Sequence, residues 1–128
     1  MASGKFKIDQ YQHEIDGWRR TLGFMKEENI ILKNHLANVL TTSQVYSNSE
    51  MDLLENFQTS FLSQDHRIYR LLTIISDEQK LVSREIFEDG QVLNSLISKQ
   101  RQLRKEMEEA EDEFQKLKAD FNAFMSED

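Results

Sequence analysis

Between Ile8 and Val39 a core-type residue recurs at alternating spacings of three and four: Ile8, Tyr11, Ile15, Trp18, Leu22, Met25, Asn29, Leu32, Leu36 and Val39. A straight α-helix has about 3.6 residues per turn, so a repeat averaging about 3.5 keeps one seam turned toward a partner helix. A seam held over this length restricts the chain to a bundle or coiled coil of long helices. Asn29 is its one polar member. Gly17 and Gly23 fall off the seam and read as tolerated surface glycines, each costing about 1 kcal/mol of helix propensity, or as points where a third helix approaches closely.

The first helix is expected over residues 5–40. From Thr41 to Ser49 the seam lapses into small hydroxyl and amide residues, which compete for backbone hydrogen bonds and favour a turn. Ser47 with Glu50 three residues on has the form of a capping box, so the second helix is expected over 48–75. Its seam is Leu54, Phe57, Phe61, Gln64, Ile68, Leu71 and Ile75. Ser76, followed by Asp77, Glu78 and Gln79, repeats the capping pattern and places a second turn there. The third segment, over 77–125, carries Val82, Ile86, Leu93, Leu96, Gln100, Leu103, Met107, Ala110, Phe114, Leu117, Phe121 and Phe124. Its frame runs through Asp89-Gly90, either as one continuous helix, which the kept frame favours, or with a break that would make four helices.

The expected fold is an all-α, long antiparallel helical bundle forming a single domain. The complete absence of proline fits it, since proline breaks helix interiors and is common in turns. At about 1.5 Å per residue the third helix would be roughly 75 Å long against roughly 40 Å for the second, and would overshoot its neighbours. The overshoot would carry Phe114, Leu117, Phe121 and Phe124 as an exposed stripe, the candidate contact surface of a homo-oligomer, most simply a dimer.

Chemistry is sparse. With no cysteine there is no disulfide, thiolate site or cysteine nucleophile, which suits a reducing compartment. His13, His35 and His66 all fall off the seams, and the residues three before them are Gln10, Leu32 and Ser63, so neither a di-iron Glu-x-x-His pair nor a His-Glu-x-x-His zinc motif is present. No glycine-rich phosphate loop or nucleophile elbow appears. The acidic run from Glu106 to Glu113 spreads around a helix as a solvated face. Basic Lys99, Arg101, Arg104 and Lys105 precede it, and the four-residue spacings Arg104–Glu108, Lys105–Glu109 and Asp112–Lys116 suggest pairing within the helix. From Asp77 onward there are fourteen acidic and eight basic residues, and the net charge of −7 opposes binding to nucleic acid or anionic lipid. No apolar run approaches the roughly 20 residues that span a bilayer, and no signal-peptide core follows Met1. A soluble, cytoplasmic protein is expected.

His13-x4-Trp18, Leu22-x-Phe24-x-Lys26-x-Glu28 and Glu55-Asn56-Phe57-Gln58-x2-Phe61 resemble a group of small uncharacterised all-helical bacterial proteins. The resemblance covers about half the chain, up to Ile75. Where that group tends to have arginine before a leucine late in the first helix, this chain has His35. It implies a helical fold and transfers no catalytic or binding residue.

Two functions follow as expectations. The first is a non-enzymatic scaffold or adaptor that binds through helix faces, to its own copies or to other helical proteins. It has no catalytic residue, cofactor or metal. The second is a small-molecule- or metal-binding bundle using a buried polar layer of Asn29, Gln64 and Gln100. Trp18, on the seam, is expected to pack in the core with its N–H reaching a partner.

Overall fold

The computed structural model describes residues 2–42, 45–85 and 90–126, and the side chains of 9–42, 45–82 and 95–126. Ile8, Ile86 and Leu93, expected on the seams, fall outside the described side chains. The protein is an all-α bundle of three helices: α1 (Ala2–Thr41), α2 (Asn48–Glu85) and α3 (Gly90–Ser126).

The first turn is set by Ser47. Its hydroxyl accepts the Glu50 backbone N–H at 3.2 Å, and its own N–H donates to Glu50 Oε1 at 2.9 Å. This reciprocal pair satisfies two donors that a helix start leaves open. It also holds the Glu50 carboxyl below its ordinary pKa.

The second turn is not at Ser76. Helix α2 runs through it to Glu85. Arg19 of α1 explains why: its Nη2 donates to Ser76 Oγ at 3.3 Å and also to Gln79 Oε1. The outer pair of the apparent capping box is thus held by a neighbouring helix. The Leu54 frame simply continues, placing Glu78 and Val82 on the seam, where both are buried. Nor is the third segment one continuous helix, as the kept frame favoured: α2 ends at Glu85 and α3 begins at Gly90, and Asp89 lies outside the described residues.

The helices are therefore nearly equal, at 40, 38 and 37 residues, each about 55–60 Å long. Their contacts fix an up-down-up order. Tyr11 meets Glu78 while Asn29 meets Phe61 and Asp65, so α1 and α2 are antiparallel. Arg70 meets Glu106 and Arg67 meets Glu113, so α2 and α3 are antiparallel as well. Glu14 meets Arg104 and Glu28 meets Lys118, which leaves α1 and α3 parallel. Arg104 and Glu109 are thus paired across helices, Glu109 with Arg67, rather than within α3.

One continuous core runs along the bundle, from Tyr11, Ile15 and Ile75 through Leu22, Leu71 and Leu103 to Phe61, Phe114 and Phe121. Trp18 packs half-buried at its edge. A Cβ at Gly23 would meet nothing within 4 Å, and one at Gly17 only the tip of Arg20 at 3.9 Å, so neither glycine admits a third helix.

Candidate functional site

The four residues expected on an overshooting stripe lie inside the bundle. Phe114 and Phe121 are fully buried, and Leu117 and Phe124 pack half-buried against the core. With no overshoot there is nothing for them to be exposed on. Phe121 is the hub of an aromatic cluster, its ring edge-on to Phe57 and Phe61, each at 5.2 Å, and to His35 at 5.4 Å. Phe57 also reaches Phe124 at 5.8 Å. Such pairs strengthen packing beyond area alone, and here they tie all three helices at one end. His35, expected at the rim, is exposed and covers the outer edge of this cluster. His13 and His66 are exposed.

The polar seam residues do not form one layer. Asn29 is fully buried, and its Nδ2 donates to the Phe61 carbonyl at 2.9 Å and to Asp65 Oδ1 at 2.7 Å. Asp65 in turn pairs with Lys33 at 2.5 Å. Gln64 is buried in the same stretch of α2. Gln100 is elsewhere, half-buried at the level of Glu14, to which its Nε2 donates at 2.7 Å. Arg104 completes that site with a two-pronged bond to the same carboxylate, at 3.0 and 2.8 Å. Asn29 and Gln64 share a mid-bundle position, and the third residue belongs to a polar tie between α1 and α3. Buried Asn29 Oδ1 and Gln64 Oε1 have no hydrogen-bond partner among the described residues.

A third polar feature went unanticipated. Glu78, only 5% exposed, accepts the Tyr11 hydroxyl on Oε2 at 3.1 Å. Burial raises the Glu78 carboxyl above its ordinary pKa, against the opposing pull of the Tyr11 hydrogen bond and the Lys99 charge. Burial and the nearby carboxylate push the Tyr11 phenol up as well. Glu78 lines a shallow groove of about 320 Å³ between α2 and α3, with Ile74, Leu81 and Leu103 as apolar wall and Arg70 and Lys99 among its charges. Carrying the Leu54 frame three residues past Ile75 would have put Glu78 on the seam. The capping pattern at Ser76 hid it.

The outward face of α1 is the other unanticipated feature. Phe24 is 64% and Ile31 66% exposed, and Ile30 between them is 43% exposed. In the Ile8 frame these residues take positions b and c, opposite the a/d seam, together with Gly23 and Ala37. Glu27 is the one charged side chain inside this strip. On α2, Leu53, Leu62 and Tyr69 are exposed to a comparable degree.

No family model, curated protein or solved structure matches the chain. Its function is therefore argued from these features alone. No helix among the described residues is long and apolar enough to cross a membrane, and no group of acidic or histidine side chains among them is placed to hold a metal ion. The α1 strip was legible in principle, because a second apolar row in positions b and c is visible once the seam has been numbered. Its exposure was not, since that depends on which faces α2 and α3 cover.

Proposed function

We propose that this chain is a non-enzymatic cytoplasmic scaffold or adaptor that works by docking the outward face of α1 against another helix, as a homodimer or on other helical proteins. The observation that carries the reading is the strip of Phe24, Ile30 and Ile31, exposed on a helix whose opposite face already fills the bundle core. The largest exposed apolar patch of a monomer is often functional, whereas single exposed apolar side chains need no explanation.

Paired substitution Phe24→Ser and Ile31→Ser tests this. The variant should melt within about 2 °C of the parent, because neither side chain supports the core, and should lose association measured by light scattering or chemical cross-linking. A clear fall in melting temperature would mean the strip serves the fold, and the reading would fail.

A second reading, a small-molecule-binding bundle, is favoured by the groove at Glu78, where a buried carboxyl meets an apolar wall. A thermal-shift screen comparing the parent with Glu78→Gln separates the two. Stabilisation by a small molecule that the variant abolishes would favour the groove.

A further inference from the structure

We infer that α3 is the releasable helix of this bundle, loosened by acid from an α1–α2 hairpin that stays paired. Such release is independent of whatever binds the outer face of α1, because it concerns the contacts that close the bundle.

The polar contacts of α3 differ in kind from those between α1 and α2. Among the described residues, each polar contact that α3 makes with the other two helices uses a carboxylate. Toward α1, Gln100 and Arg104 hold Glu14, and Lys118 holds Glu28. Toward α2, Glu109 and Glu113 meet Arg67, and Glu106 meets Arg70. These carboxylates are between 26% and 64% exposed, so salt and protons reach all of them. Between α1 and α2, Asn29 donates to the Phe61 carbonyl and Arg19 to the uncharged side chains of Ser76 and Gln79. Tyr11 donates to Glu78, which is buried. Lys33–Asp65, whose carboxylate also accepts from Asn29, is the one ion pair between these two helices among the described residues.

Acid therefore acts on the two interfaces in opposite senses. Protonating Glu14, Glu28, Glu106, Glu109 and Glu113 removes the ion pairs of α3. Glu78 runs the other way: burial raises its carboxyl above the ordinary value, so the stability it contributes is present at low pH and lost as pH rises through the folded value. Tyr11 faces it from α1 and Lys99 from α3, and Arg70, Asp77 and Glu106 line the same groove. Lys99 favours the ionised form of Glu78. Protonation thus takes one more attraction from α3 while relieving the α1–α2 hairpin of a buried charge. Near neutral pH the seam of Leu103, Met107, Ala110, Phe114 and Phe121 keeps α3 docked, and the exposed pairs set how rarely it opens. Each is individually weak; together they shift that opening about tenfold. Release uncovers Phe114 and Phe121 along with the core faces of α1 and α2.

Amide hydrogen exchange on the full chain, corrected for intrinsic rates, reads this helix by helix. The comparison runs from about pH 5.5 to about pH 3.5, a range in which ordinary histidines are charged throughout and carboxylates titrate; His35, which faces Phe121 of α3, is thereby held constant. Amides in 103–121 should lose about tenfold in protection, while those in 22–36 and 54–75 change by no more than about twofold. Glu14→Gln with Glu28→Gln should show part of the α3 loss already at about pH 5.5, and a smaller response to acid than the parent. Salt at about 1 M should loosen α3 in the parent in the same selective way, since it screens the exposed pairs. Equal loss in all three helices would overturn the inference, because the bundle would then open as one unit. Earlier loss in α1 or α2 would overturn it too, as would a double variant whose acid response matches the parent's. If the double variant does not fold, the salt response of the parent decides: loss confined to α3 supports release, and uniform loss or none refutes it.

Discussion

Replacing Phe121 by alanine separates a core residue from an interface residue. The ring is fully buried and touches Phe57, Phe61 and His35, one or more from each of the other two helices. Truncating a buried phenylalanine costs about 3–5 kcal/mol, from lost transfer free energy and the cavity left behind. Phe121 lies five residues before the end of α3 at Ser126. The last turn can therefore shift inward and refill part of the space, which places the cost at the lower end, about 3–4 kcal/mol. A chain of this size moves its melting midpoint by roughly 3–6 °C per kcal/mol, so the expected fall is roughly 10–20 °C. Circular dichroism at 222 nm follows the melt, and light scattering on the same samples follows mass. Phe24→Ala is the matched control: also a phenylalanine, 64% exposed, expected to change stability by no more than about 0.5 kcal/mol. The reasoning is refuted if Phe121→Ala melts within a few degrees of the parent while its mass falls, the behaviour of a ring on an intermolecular contact.

Four further outcomes follow from the polar groups. Glu78 has a raised folded-state pKa, so its contribution to stability is fully present below the unfolded value of about 4.5 and is lost as pH rises through the folded value. Glu78→Gln keeps an oxygen for the Tyr11 hydroxyl and lacks this loss, so its melting temperature should gain on the parent between pH 4 and pH 8; a constant gap would rule the assignment out. The Tyr11 phenol is raised above its ordinary 10.0, which by the same sign rule removes stability only on the alkaline side of pH 10. Gln64→Leu replaces a buried carbonyl oxygen that has no donor among the described residues with an apolar group of similar size, and should raise stability by about 1–2 kcal/mol; urea unfolding showing a clear loss would mean that oxygen is satisfied in solution. Glu14→Ala removes the shared acceptor of Gln100 and Arg104, at a cost of about 1 kcal/mol at low salt that shrinks toward zero near 1 M, where screening acts within about 3 Å.

The seam positions within each helix were legible because a heptad repeat encodes them directly, but the same frame, kept across Asp89-Gly90, hid the division between α2 and α3. Asn29 and Gln64 are buried, as their register required. What misled was a local signal weighed without its tertiary context. Ser76 with Gln79 looks like a helix start, and an isolated peptide has no Arg19 opposite to bind both. That one turn, placed too early, shortened the expected α2, lengthened the expected α3 and turned four core residues into an imagined exposed stripe. It also concealed Glu78, whose seam position appears only when the frame is carried past Ile75. Charge pairing was only partly legible, since Glu108 does act on the Arg104 charge within α3 but the stronger partner lies on another helix. Four-residue spacing finds partners within one helix, but Arg104 is better served by the Glu14 carboxylate on α1, which accepts a two-pronged bond.

The outer face of α1 is where local preference and the fold part company. Gly23 lowers helix propensity by about 1 kcal/mol relative to alanine, and phenylalanine and isoleucine are poorer helix formers than the charged residues usual on a solvated face. Inside the core such residues recover this through burial. Phe24, Ile30 and Ile31 recover little of it, because about half or more of each is in water, and Gly23 makes room for nothing within its own bundle. The strip therefore lowers helix propensity in the isolated chain, and partial burial returns only some of it. Departures of this kind, concentrated on one face, are what the proposed contact outside the bundle would explain.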